Sequence, residues 1–265
     1  MDSRSTILIE DLKQAMSFTD YTPEYKCDVC KDKGIIPAYE NNRFSYKRCD
    51  KCYKKKIFES NLRRSGISPE DYKRYTLDSF ICDTEQAKQM KEIAMQFLKD
   101  KTARGLGYFG RSGTGKTHIC IAVCQASGKV HHYWQYRREI QKIKAVMYKD
   151  LKEYERLMQL PINSPFLYID DFLKCGGNVL DKDLSHQDLQ IMFDIINARY
   201  INRRKTIISS ERTLKEIFTL DEAIGSRLYE MLSPYIVKVE GQNRRIINAN
   251  RILNSWENKD GLYKK

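Results

Sequence analysis

The stretch Gly110-Arg111-Ser112-Gly113-Thr114-Gly115-Lys116-Thr117 constrains this chain more than any other. It follows the apolar run 106–109 and opens the apolar-rich segment 118–126. That is the strand, glycine loop and helix order of a phosphate-binding loop. Glycines allow backbone conformations closed to other residues, so successive N–H groups can converge on an anion. A helix starting near Lys116 adds the positive end of its dipole. Lys116 suits β- and γ-phosphate oxygens, and the Thr117 hydroxyl suits Mg2+. With the adjacent His118, these residues imply a nucleoside triphosphate site.

The run Phe166-Leu167-Tyr168-Ile169 ends in two carboxylates, Asp170 and Asp171. A triphosphatase needs such a strand end beside its phosphate loop. Asp170 would hold Mg2+, directly or through water, and Asp171 would orient or deprotonate the attacking water.

Cys27-Asp28-Val29-Cys30 and Cys49-Asp50-Lys51-Cys52 form two knuckles. Their separation lies within the roughly 15–20 residues of a tetrahedral zinc site. A redox or disulfide reading is open, but no βαβ pattern surrounds them. Residues 34–46 between them suit a small hairpin, whose core is too small to fold without a metal. The other four of the eight cysteines are scattered.

The net charge of +12 favours polyanionic partners and is not an argument about fold. No run approaches the roughly 20 apolar residues of a membrane span. The first twenty residues lack a signal peptide's apolar centre. A cytoplasmic location is expected.

Along the chain, residues 5–16 have the spacing of a short amphipathic helix. The basic run 53–64 is either a nucleic-acid contact or a solvated helix face. Gly66 and Pro69 mark a linker near 60–70, which divides the chain into domains at 1–65 and 66–265. Helical periodicity covers 84–99, and a β-rich run covers 130–136. One long charged helix is expected over 137–160, its lysines and arginines either facing a phosphate backbone or solvated. Residues 174–185, with Gly176-Gly177, form a loop. A helix at 188–201, a strand at 206–210, a helix at 222–231 and a strand at 234–239 follow. Strands alternating with helices imply an α/β fold whose parallel sheet is covered on both faces.

The phosphate loop, Ile169-Asp170-Asp171, the strand Thr206-Ile207-Ile208-Ser209-Ser210, and Gly225-Ser226-Arg227 before Tyr229-Glu230-Met231 together resemble the AAA+ ATPases of the DnaC/DnaI helicase-loader and IstB group. The match covers roughly residues 65–250. A cysteine-bearing N-terminal domain is similar to that of DnaI-type and phage-encoded loaders.

The resemblance implies an AAA+ domain with a five-stranded parallel sheet, preceded by a small zinc-binding domain. It implies ATP/ADP, Mg2+ and Zn2+ as cofactors, with hydrolysis of ATP. It further implies an N-terminal domain that grips a replicative hexameric helicase and an AAA+ domain that binds single-stranded DNA, with at least transient self-association. By position, Arg227 resembles an arginine finger for a neighbouring subunit's γ-phosphate. Arg245, with Arg244 as its rival, resembles the second sensor arginine.

Two positions depart from the family pattern. Asp171, one methylene shorter, stands where Glu is usual, so slow hydrolysis is expected. Glu211 stands where Asn is usual in the first sensor, so either Ser210 serves there or the sensor is lost. Two other functions share these features: an IstB-like ATPase directing a transposase on duplex DNA, and a non-hydrolysing ATP-dependent adaptor.

Overall fold

The computed structural model describes residues 24–65, 67–174 and 184–246. The expected helix at 5–16 and most of the loop at 174–185 lie outside them. The chain divides into two compact units, residues 1–56 and 57–265.

In the first unit, β1 (Ile35–Glu40) and β2 (Arg43–Arg48) form an antiparallel hairpin. Helix α1 (Asp50–Ser65) begins directly after it. The hairpin's register puts Ile35, Pro37, Tyr39, Phe44, Tyr46 and Arg48 on one face. Ile36, on the other face, packs on the cysteines. The first face stays open to solvent, with Tyr39 71%, Phe44 61% and Tyr46 64% exposed.

The second unit is built on a five-stranded parallel sheet in the order β4-β5-β6-β3-β7. Its strands are β3 (Gly105–Gly110), β4 (His132–Gln135), β5 (Phe166–Asp170), β6 (Lys205–Ser210) and β7 (Ile236–Val239). The helices are α2 (Pro69–Arg74), α3 (Glu85–Lys99), α4 (Lys116–Ala126), α5 (Tyr136–Val146), α6 (Leu151–Asn163), α7 (His186–Ile201), α8 (Leu214–Leu220) and α9 (Glu222–Leu232).

The near-continuous apolar strands alternate between two cores, as burial on both faces requires. Tyr108, Phe166, Tyr168, Ile207 and Val237 meet α3 and α4. Phe109, Leu167, Ile169 and Ile208 meet α5, α7, α8 and α9. At Gly105 a side chain would collide with Leu232 of α9, so only glycine lets helix and strand approach this closely.

The long helix expected over 137–160 is two helices. Asp150 leaves helical geometry (φ −142°, ψ 94°), and its carboxylate accepts from the Glu153 N–H at 3.0 Å. That satisfies an otherwise unpaired donor at the start of α6 and interrupts the helix. Caps also set other starts: Thr84 caps α3, and Ser185 with Asp188 forms a capping box on α7.

Arg199 is fully buried, and among the described residues no carboxylate pairs with it. Its guanidinium donates to the carbonyls of Pro161, Ser164 and Lys205 and to the Thr206 hydroxyl, tying the end of α6 to β6.

His131 is buried just ahead of β4, with Nδ1 3.0 Å from the Lys129 carbonyl and Nε2 3.1 Å from the Tyr72 hydroxyl. The carbonyl can only accept, so Nδ1 carries the proton and Nε2 accepts from Tyr72. Burial lowers the ring's pKa from 6.5 to about 4. A depressed folded-state value means the stability is present above the unfolded value and lost as pH falls toward the folded one. Thermal melts should therefore show a loss developing from about pH 6.5 down to pH 4, roughly 3 kcal/mol in full. His131→Gln should flatten that limb. An unchanged slope in the variant would remove His131 as its source.

Candidate functional site

The phosphate loop joins the end of β3 to the start of α4. Gly113 (φ 74°) and Gly115 (φ 96°) occupy the left-handed region, which a side chain would strain. Gly115 is also the N-cap of α4 and offers no side-chain acceptor, so the first helical N–H groups face the loop without a cap. Neighbouring backbone holds the loop: the Arg111 N–H donates to the Val239 carbonyl at 3.0 Å, and the Arg244 N–H to the Gly113 carbonyl at 3.0 Å. The Thr114 hydroxyl donates to the Arg111 carbonyl at 3.0 Å. The Lys116 ammonium is buried over the loop, 2.6 Å from the carbonyls of both Gly110 and Arg111. Desolvation lowers its pKa, opposed by Glu211, Asp171 and Asp170.

Asp170 is the meeting point of three strands and the loop helix. Its carboxylate accepts from the hydroxyls of Thr117 (3.1 Å), Tyr133 (2.8 Å), Tyr168 (2.5 Å) and Ser209 (2.5 Å). A 4% exposed carboxylate is tolerable here because its lone pairs are matched by donors. Thr117 and Asp170 thus set two hard oxygens side by side, the donor set Mg2+ prefers.

Ser210, one of the two alternatives for the first sensor, has its hydroxyl committed to backbone. It is buried, its hydroxyl donates to the Phe172 carbonyl at 2.7 Å, and it accepts from the Arg212 N–H. Ser209, one residue earlier, reaches Asp170 because successive residues of a strand face opposite sides.

Asp171 adopts φ 53° as the chain leaves β5. Its carboxylate meets the Lys174 ammonium at 3.0 Å, and the same ammonium meets Glu211 at 2.9 Å. Burial and the neighbouring Asp170 raise the pKa of Asp171, against the effect of Lys174. For Glu211 burial acts upward, but Lys174, the Ser112 hydroxyl and Lys116 outweigh it and hold the carboxyl below its usual range. Glu211 therefore lies against the loop with its charge compensated. No motif points to Lys174, Tyr133 or Ser209, whose parts come from strands meeting far apart in sequence.

The His118 ring packs against Tyr75 and Phe80, and its Nε2 is 3.1 Å from the Thr76 carbonyl. It anchors residues 75–80 on α4. Of the two candidate sensor arginines, Arg244 lies beside the loop. Its guanidinium is 2.6 Å from Asp83 and stands over Phe80, whereas Arg245 is exposed. Arg227 lies on α9, half-buried against α7, where it donates to Asn197 at 3.0 Å and stands over Phe193 and Tyr200.

In the first unit, Cys27, Cys30, Cys49 and Cys52 bring their sulfurs within 4.8 Å of one another. Cys27 and Cys49 are 3.8 Å apart, and Cys30 and Cys52 are 3.4 Å apart. A tetrahedral ion with bonds of about 2.3 Å separates its sulfurs by about 3.8 Å. All four are free thiols, and the Gly34 N–H donates to the Cys30 sulfur at 3.3 Å.

Comparison with known proteins places this geometry. The Bacillus subtilis protein YqaM is 29% identical over 92% of this chain and 90% of its own length. A solved DnaC helicase loader is 24% identical, with a TM-score of 0.52 over 64% of this chain and 99% of that one. A replication initiator DnaA bound to AMPPCP and single-stranded DNA is 20% identical, with a TM-score of 0.52 over 68% of this chain and 52% of its own. Among the described residues no helix is long and apolar enough to cross a membrane. The pattern of the Bacterial DnaA ATPase domain matches residues 72–233, from α2 to the end of α9. It spans the phosphate loop, the Asp170 centre and Arg227, and on that match the chain belongs to the DnaA-type family of AAA+ ATPases.

Proposed function

We propose that this protein is an ATP-controlled loader that binds a replicative hexameric helicase and delivers it onto single-stranded DNA. The observation that carries the reading is the pairing of a Thr117–Asp170 phosphate-loop site with a separate four-cysteine hairpin unit. One part suits a nucleotide switch and the other suits recognition. The helicase-loader fold of the similar DnaC protein and the single-stranded DNA in the DnaA structure support the same reading.

In this proposal residues 66–265 are the ATPase domain and residues 1–65 the helicase-binding domain. Lys116 and the loop residues 110–118 hold the phosphates, and Thr117 with Asp170 holds Mg2+, which when bound neutralises phosphate charge. Asp171 orients the attacking water. It is shorter than Glu and tied to Lys174, so turnover is slow. Arg227 serves a neighbouring subunit, and Arg244 takes the sensor role alongside or in place of Arg245. Cys27, Cys30, Cys49 and Cys52 hold Zn2+, which folds the hairpin. The open face bearing Tyr39, Phe44 and Tyr46 is the partner surface, since aromatic side chains give large contact area at low entropic cost. The net charge of +12 supports contact with DNA.

The lysine-tied Asp171 keeps a second reading in view, a non-hydrolysing adaptor in which ATP sets partner affinity alone. Asp171→Asn separates the two. A loader should lose about a hundredfold in turnover, retain ATP and remain trapped on its helicase. An adaptor should behave as wild type in helicase release. Lys116→Ala should lose nucleotide binding in either case.

Full-length protein should co-purify with the hexameric helicase carrying one zinc per chain. A strong chelator should abolish capture while the melt of the ATPase unit persists. Tyr39→Ser with Phe44→Ser should weaken capture by about tenfold or more at unchanged zinc content. Capture that survives both treatments would exclude the hairpin face.

A further inference from the structure

Lys174 stands between two carboxylates supplied by different strands. Asp171 follows β5 and Glu211 follows β6, at 3.0 Å and 2.9 Å from the same ammonium. None of the three is an exposed surface group: their side chains are 31%, 29% and 32% accessible for Lys174, Asp171 and Glu211. Glu211 in turn is held in its charged form by Lys174, Ser112 and Lys116, the last two belonging to the phosphate loop. Through Glu211 the Lys174 ammonium is coupled to the charge of the loop's Lys116.

Charge decides what happens when a polyphosphate occupies that loop. Its oxygens compete with Glu211 for Ser112 and Lys116, and the two anions repel. Lys174 has three donors on a flexible stem and can turn from one anion to the next without losing the other. A triphosphate brings one more charged phosphate to the loop than a diphosphate does, and so competes with Glu211 more strongly. The usual first-sensor amide is absent here, because Glu211 occupies its position and Ser210 is committed to the Phe172 carbonyl.

We propose that Lys174 is the terminal-phosphate sensor of this site, exchanging Glu211 for the third phosphate of the nucleotide while keeping hold of Asp171. Glu211 is its resting partner and competes with the nucleotide for it. The same exchange sets Asp171 beside the terminal phosphate only when that phosphate is present. The inference rests on the nucleotide-switch reading and names the residue that performs it.

The test is equilibrium binding of Mg·AMPPNP and Mg·ADP to the full-length protein and to three variants. Lys174→Met should weaken AMPPNP by about tenfold or more and leave ADP within about twofold, since a charge-assisted hydrogen bond is lost for one ligand only. Lys174→Arg should restore most of the AMPPNP affinity, as the cation is kept. Glu211→Gln should raise the preference for AMPPNP over ADP, because the competing anion is gone. Equal loss for both nucleotides in Lys174→Met, or an unchanged ratio, would reduce Lys174 to a structural ion pair and overturn the proposal. If Lys174→Met does not fold, Glu211→Gln decides alone, and an unchanged ratio there overturns it. A wild-type protein that binds neither nucleotide would remove the switch reading itself.

Discussion

The second unit depends on keeping one carboxylate charged in the interior. Asp170 takes hydroxyls from α4, β4, β5 and β6, so a single buried anion joins the phosphate loop to three strands. An unmatched charge there would be very costly, and a partly matched one not much better. The full set of donors makes the arrangement an all-or-none feature of the fold. It also holds Thr117 beside Asp170, so the two oxygens that suit a hard cation are fixed by the same contacts that fix the fold.

Much of this could be read from the chain because the motifs are local. A phosphate loop needs its glycines and Lys116-Thr117 in one stretch, and each cysteine knuckle needs only two cysteines three positions apart. The parallel sheet follows from apolar runs alternating with amphipathic ones. The rest was set by relations that sequence periodicity does not carry. Ser209 and Ser210 are neighbours of the same type, and only the pleat of β6 assigns one to Asp170 and the other to a backbone carbonyl. Lys174 lay in what reads as a polar loop. It gains a role because β5 and β6 are adjacent and end level with each other. The break between α5 and α6 was missed because the hydrophobic spacing continues across it, although Asp150 three residues before Glu153 is a capping signal that could have located it.

The two departures from the family pattern, Asp171 and Glu211, look unrelated along the chain. In the structure they share one lysine, which resolves what would otherwise be two acids beside an anion site. A substitution at either position has therefore to be read together with Lys174, since the three charges compensate as a set.

The approach of α9 to β3 carries a mechanical consequence. The Leu232 side chain and the Met231 carbonyl of the helix rest where a side chain on Gly105 would stand, so helix and strand meet directly there. One end of that strand becomes the phosphate loop, and the helix carries Arg227. The loop and the cation thus sit on two elements that touch directly. A displacement of that strand is therefore one to which the helix bearing Arg227 must adjust.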